Sequence, residues 1–441
     1  MYSGLDGYRL RIRRHLSPHW TKIPQAVPKT PDRPTLYPRF AATRVRAALA
    51  DTPVVIVSGP RQCGKTTLVR DFVTRRRVYV SLDDESNLAA ALGDPTGFVR
   101  GLGSAVIDEV QRAPALLRTI KKAVDDDRRP GQFLVTGSAD LLGLAGAVES
   151  LAGRMEIVAL LPLSQAEIFG RRPRFLDRAF DGRVLAPAQV IVAVNLVRLV
   201  LTGGYPEMLR RPEGRRREVW ARDYVDAIVK RDVQDVAVVQ RLAQMPQLLR
   251  VLAHHSGKLT NFAQIGGQLA IDEKTTRRYV TIFERLFLVQ ELQPWLRNRL
   301  SRLIKTPKLH FLDSGLLAVL LGASMERVAK DREILGPLFE TFVAAEIAKQ
   351  LTWIDRSASI FHYRDKDQAE VDVVIEDSAG TVVGIEVKAG ATVGARDFNG
   401  LRRLQIGAAD QFAAGIVLYD GDTVVPFGER LFAAPISSLW S

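Results

Sequence analysis

Gly59-Pro60-Arg61-Gln62-Cys63-Gly64-Lys65-Thr66 is the stretch on which the reading of this chain turns. It fits the spacing G-x-x-x-x-G-K-[ST]. Glycines at its two ends let backbone wrap closely round an anion, with successive N–H groups pointing inward. A helix starting at Lys65 would add about half a positive charge at its N-terminus. The apolar run Val54–Ser58 just before it reads as a buried strand. Strand, glycine loop and helix make a cradle for a polyphosphate, so ATP with Mg²⁺ is the expected ligand. Gly59, Pro60, Arg61, Gln62, Cys63, Gly64, Lys65, Thr66 and Thr67 would line it. Lys65 would neutralise the β and γ oxygens, and the Thr66 hydroxyl would ligate Mg²⁺.

A second apolar run, Ala105-Val106-Ile107, ends in Asp108 and Glu109. Asp108 would hold Mg²⁺ through its water shell, and Glu109 would polarise an attacking water. Phe133–Thr136 should be the strand beside Val54–Ser58, with Thr136 or Ser138 near the γ phosphate; Ser138 reads equally well as a helix N-cap. Arg154 precedes a further strand. It is a candidate finger for a neighbouring subunit's γ phosphate, or a surface ion pair. Cys63 is the only cysteine, so no intramolecular disulfide is possible and a reducing, cytoplasmic setting is expected.

Outward from the loop, apolar runs at Val54–Ser58, Val78–Leu82, Ser104–Asp108, Phe133–Thr136 and Glu156–Leu161 alternate with helical stretches. That rhythm predicts an α/β fold with a parallel sheet covered on both faces. Residues 166–244 read as a charged helical lid or linker. Residues 245–325 read as a winged helix: helices near 247–254, 261–269 and 273–288, then two strands at 288–295 and 308–313. Asp272 is a candidate N-cap for the third helix, with Lys274, Arg277 and Arg278 on its exposed side. Residues 326–441 read as a second, separate α/β unit. Residues 1–40, with six prolines and eight Lys/Arg against two Asp, form a basic Pro-rich arm. Residues 41–165 are then the ATPase core.

Several short motifs recur in one known family: Asp108-Glu109-Val110-Gln111, Thr136-Gly137-Ser138, Leu151-Ala152-Gly153-Arg154, Pro162-Leu163-Ser164 and Gly203-Gly204-Tyr205-Pro206-Glu207. By these the chain resembles prokaryotic AAA-type ATPases, over roughly residues 35–425. The resemblance implies a winged-helix piece and a C-terminal domain of unknown function.

In the C-terminal unit, Glu370-Val371-Asp372 and Glu386-Val387-Lys388 fall on successive strands. Asp372 and Glu386 would converge on one divalent ion, with oxygen ligands suited to Mg²⁺ or Mn²⁺. Lys388, two residues past Glu386, faces the same side and would help deprotonate a water. The spacing resembles the restriction-endonuclease-like core, which carries an acid on its first helix: Glu340, with Glu346 as rival.

Charge points to a polyanionic partner. The chain carries 62 Lys/Arg against 49 Asp/Glu, a net charge of +13. Residues 330–441 run the other way, with 11 Lys/Arg against 17 Asp/Glu. The expected division of labour has the basic residues 1–329 gripping DNA while the acidic unit cuts or docks. The alternative is a nucleotide-dependent assembly switch with a silent C-terminal unit, for which a homo-oligomer through Arg154 would suit. No membrane span is expected, because the greasiest stretch, Val184–Leu201, contains Pro187, Gln189, Asn195 and Arg198.

Overall fold

The computed structural model describes residues 36–137, 151–233, 242–297 and 306–441. Ser138 and the arm up to residue 35 lie outside the described residues.

Five strands build the first sheet: β1 (Val54–Ser58), β2 (Val78–Ser81), β3 (Ala105–Asp108), β4 (Phe133–Gly137) and β5 (Met155–Ala159). Their order is β2-β3-β4-β1-β5, and every pairing is parallel. Successive side chains in a strand point to opposite faces, so all-apolar strands need cover on both sides. Val54, Ile56, Ile107 and Val135 meet Leu116, Leu117, Ile120 and Val124. Val55, Val57, Val106 and Leu134 meet Ala41, Val45, Ala48 and Leu68. The helices supplying this cover are α1 (Ala41–Asp51), α2 (Lys65–Arg70), α3 (Glu85–Gly93), α4 (Pro95–Leu102) and α5 (Ala115–Asp126). Each fully buried Val, Leu or Ile contributes roughly 1.5–3 kcal/mol.

Helices follow the first sheet: α6 (Gln165–Ile168), α7 (Phe175–Phe180), α8 (Ala193–Thr202), α9 (Pro206–Arg210) and α10 (Arg215–Ala227). α8 stops before Gly203, and α9 restarts on Pro206, whose fixed φ suits a first helical position.

Next come α11 (Met245–His255), β6 (Lys258–Leu259), α12 (Phe262–Gly267), α13 (Glu273–Arg285), β7 (Val289–Pro294) and β8 (Lys308–Phe311). Asp272 caps α13, its carboxylate accepting the Thr275 N–H at 2.9 Å. α14 (Ser314–Leu321) and α15 (Met325–Lys330) lead into α16 (Leu335–Leu351). The C-terminal part adds β9 (Ala358–Arg364), β10 (Glu370–Asp377), β11 (Val382–Lys388), α17 (Asn399–Ala408), β12 (Phe412–Tyr419), β13 (Val425–Gly428) and β14 (Leu431–Pro435).

The expected boundary at 325/326 does not separate two bodies. β7 pairs in parallel with β9, Gln293 opposite Phe361 and Pro294 opposite His362. One nine-stranded sheet results, in the order β13-β14-β12-β11-β10-β9-β7-β8-β6. One apolar core also runs through Val225, Leu248, Phe283, Leu338, Val373 and Ile416. Residues 245–325 and 326–441 therefore form a joint structure, since each supplies the other's missing strand partners and apolar cover.

Candidate functional site

The phosphate loop follows β1 as its sequence predicts. A Cβ on Gly59 would lie 2.0 Å from the Leu160 carbonyl oxygen, so only glycine fits. Gly64 has φ +102°, a left-handed conformation that costs glycine little. Lys65 is buried, and its ammonium donates to the carbonyls of Gly59 (3.0 Å) and Pro60 (2.9 Å). Thr66 and Thr67 open on a cleft of about 550 Å³ that Glu109 also lines.

Asp108 and Glu109 stand at the same edge of the sheet, because Ile107 pairs Val135 while Val57 pairs Thr136. The Thr136 hydroxyl donates to one Asp108 oxygen, and the Tyr79 hydroxyl donates to the other at 2.8 Å. The Glu109 N–H donates to Thr136 Oγ1 at 3.1 Å. Glu109 itself has φ +60°, which turns its chain out of the strand, and the Gln111 amide donates to its carboxylate. Thr136 thus organises both acids.

Several residues that the sequence did not single out complete this region. Arg39, assigned to the arm, braces the loop: it donates to the carbonyls of Cys63 (2.5 Å) and Leu161 (2.6 Å) and to Glu167 (3.1 Å). Tyr224, from α10, places its hydroxyl 3.0 Å from the Arg61 carbonyl. Tyr37, Arg210, Arg211 and Trp220 also line the cleft. Cys63 is buried, with Sγ 3.2 Å from the Leu160 carbonyl oxygen, which accords with a filling role.

These residues fit a nucleoside triphosphate with Mg²⁺. The cradle is too close for any Cβ at Gly59, the buried ammonium binds only backbone carbonyls among the described residues, and Thr66 and Asp108 offer hard oxygen donors. Arg154 does not serve this site within its own chain. It precedes Met155, which pairs with Val54 at the far end of β1 from the loop. There it forms an ion pair with Asp125 and donates to the Ala152 carbonyl at 3.1 Å.

The C-terminal acids are brought together, but around a different cation from the one expected. The Lys308 ammonium, projecting from β8, lies 2.9 Å from Asp372, 3.0 Å from Glu370 and 3.3 Å from Glu340. Lys308 is 1% exposed. Burial alone would lower its pKa, but Asp372, Glu340 and Glu370 outweigh it and hold the ammonium above its ordinary value. The other Asp372 oxygen accepts the Val387 N–H at 2.9 Å. Burial, then the charge of Asp372, pushes Glu340 up to about 7 and Glu386 up to about 8. Glu386 binds Lys388 at 2.8 Å, on the shared face their spacing predicts.

Glu340, Asp372 and Glu386 are therefore not assembled as metal ligands. Among the described residues no group of three or more His, Cys, Asp or Glu side chains is placed to hold a metal ion. Lys308 fills the centre instead. Glu346, the rival acid on α16, is elsewhere: it accepts from Lys349 (2.9 Å) and from the Gln165 N–H (2.8 Å). No helix among the described residues is long and apolar enough to cross a membrane.

Residues 51–169 match the family described as an AAA domain. Residues 194–327 and 335–439 match two families described as domains of unknown function, DUF8612 and DUF4143. Two curated relatives, the uncharacterized proteins Rv2008c of Mycobacterium tuberculosis and Mb2031c of Mycobacterium bovis, are each 32% identical over 407 residues. The alignment covers 91% of this chain and 84% of either relative. Among solved structures, the Walker-type ATPase PABY2304 of Pyrococcus abyssi aligns at 17% identity and TM-score 0.43, over 67% of this chain and 99% of that one. AMPPCP-bound DnaA of Aquifex aeolicus aligns at 15% identity and TM-score 0.27, over 56% and 87%.

Proposed function

We propose a function from one premise: the chain belongs to the family of these two mycobacterial proteins and carries an AAA-type, nucleotide-binding ATPase domain. In this reading the nucleotide is ATP with Mg²⁺, and the chain hydrolyses it. The carrying observation is the buried Lys65 ammonium inside a glycine-bounded loop, beside the Asp108–Thr136–Glu109 set.

Each residue then has a task. Loop amides and the start of α2 bind phosphate oxygens. Lys65 exchanges two backbone carbonyls for phosphate. Thr66 and Asp108 would hold Mg²⁺, which when bound supplies neutralisation of charge on the phosphates. Tyr79 and Thr136 orient Asp108. Glu109 takes up the proton of a water positioned for attack, and Gln111 steadies it until then. Ser138 and Arg154 stay candidate contacts to the γ phosphate, Arg154 across a subunit boundary in a homo-oligomer.

Nucleotide state would then control DNA binding. Helix, strand, two helices and two strands from α11 to β8 follow one another as in a winged helix, with Lys274, Arg277 and Arg278 on α13 as the duplex contacts. The C-terminal unit, read as restriction-endonuclease-like, is the effector, and the whole acts in the cytoplasm. A second reading is favoured by Lys308 among the acids: a nucleotide-driven switch whose C-terminal unit docks a protein partner and cuts nothing.

The test is ATP turnover by the purified full chain with and without Mg²⁺, in parallel with DNA shift and cleavage assays. Mg²⁺-dependent phosphate release is expected. Absence of turnover with both ATP and GTP rejects the enzymatic reading. Turnover and DNA binding without cleavage selects the second reading for the C-terminal unit.

A further inference from the structure

The nine-stranded sheet brings a lysine of one segment into the acids of another. Lys308 leaves β8, Glu340 stands on α16, and Glu370 and Asp372 stand on β10. The ammonium donates to Asp372 at 2.9 Å and lies at ion-pair distance from Glu370 (3.0 Å) and Glu340 (3.3 Å), so three carboxylates share one cation. These are ion-pair lengths. Oxygens around Mg²⁺ or Mn²⁺ would draw in to about 2.0–2.2 Å, and the centre they would share is already filled.

The surroundings suit a monovalent charge held permanently. Lys388 neutralises one oxygen of Glu386, and the other, Glu386 Oε2, is buried without a hydrogen-bond partner among the described residues. His310, on the same strand face as Lys308, is fully buried, and its Nε2 has no partner among the described residues. Burial keeps His310 neutral, as it does His362, whose pKa falls to about 4. Neither competes with Lys308 for the acids.

We infer that Lys308 is the resident cation of a latent divalent-cation site formed by Glu340, Glu370 and Asp372. While its ammonium is inserted, the C-terminal unit takes no Mg²⁺ or Mn²⁺. Withdrawing the ammonium leaves three convergent carboxylates, the donor set that a hard divalent ion requires. A lysine on one segment thereby holds another segment's site shut. The inference rests on the silent reading of the C-terminal unit but fails separately from it. Loss of that reading would appear as DNA cleavage, and loss of this inference as metal binding.

The experiment is a Mn²⁺ titration of the metal-depleted full chain without nucleotide, followed by electron paramagnetic resonance of free Mn²⁺. Folding is checked by circular dichroism. The wild type should show no Mn²⁺ binding that Asp372→Asn abolishes. Lys308→Met, similar in volume but uncharged, should gain one Mn²⁺ per chain and lose it again when Asp372→Asn is added. If loss of the shared ammonium prevents Lys308→Met from folding, adding Glu370→Gln leaves two acids and should still show the gain, more weakly. A wild-type site abolished by Asp372→Asn overturns the inference, as does a folded Lys308 variant that gains no Mn²⁺.

Discussion

Arg39 donates to the carbonyl of Cys63 at 2.5 Å, tying the residues before α1 to the middle of the phosphate loop. The same guanidinium reaches Glu167, a fully buried carboxylate that also receives the Phe40 N–H. The loop is thus held by a residue that also lines the cleft.

Arg39→Ala should weaken nucleotide binding although no part of Arg39 is needed to touch the phosphates. It removes the counter-charge of a buried carboxylate and the donor to two carbonyls, at a cost of about 1–3 kcal/mol. Calorimetric titration with ATP should show affinity falling about tenfold or more, together with a lower Tm. Arg39→Lys should recover little, because one ammonium cannot span three acceptors. Unchanged affinity in Arg39→Ala would remove Arg39 from the account of the loop.

Lys65→Ala and Glu109→Gln should separate binding from chemistry. The first removes the buried ammonium and should abolish ATP binding. The second keeps the loop intact and should bind ATP normally while turnover drops about a hundredfold or more. Normal hydrolysis by Glu109→Gln would reassign the water-polarising role.

Stability should fall with rising pH through a pair of acids at the α13–β7 corner. Glu284 accepts the Glu291 N–H at 2.9 Å, which sets two carboxylates side by side. Burial first, then the charge of Glu284, raises Glu291 from 4.5 to about 7, and burial raises Glu284 too. The folded chain then holds protons that the unfolded chain releases. This contribution is complete below the unfolded value of 4.5 and is lost as pH passes about 7. Melting curves across that range should show Tm decreasing, and Glu291→Gln should flatten the slope. An identical slope in the variant would exclude Glu291 as its source.

DNA binding should depend on the outer face of α13. Replacing Lys274, Arg277 and Arg278 with glutamine in the full chain should weaken binding to all sequences and reduce the salt slope by up to about three ions. Arg277 also stacks 4.2 Å over Phe262 and pairs with Glu273, so a modest loss of stability is expected with it. A shift assay at several salt concentrations measures both. Unaltered binding by the triple variant would turn attention to other basic surfaces.

The ATPase half was legible because its signals are local. Val54–Ser58 is an uninterrupted apolar run, and the glycine spacing after it has few other uses. Asp272 and the period of α13 were equally readable, since a cap and a helical face need only neighbouring residues. What escaped the sequence acts at a distance. Arg39 sits among prolines with no periodic pattern, and its partners lie 24, 122 and 128 residues away. Lys308 reads as one charge in a short strand until Glu340 and Asp372 fold against it. The β7–β9 pairing is parallel and long-range, so no turn announces it. β13 carries Pro426 and Gly428, residues that mask a strand.

The shared nine-stranded sheet also bears on how this protein can be divided. A cut near residue 326 would strip β7 from β9, baring backbone donors and acceptors along a new sheet border, and would split an apolar core in two. Fragments made there should stick to one another, in the manner of unprotected strand edges. Exchange of modules between relatives should therefore move everything from α6 to the last residue as one piece, because Ala166, Leu196 and Val225 belong to the same core.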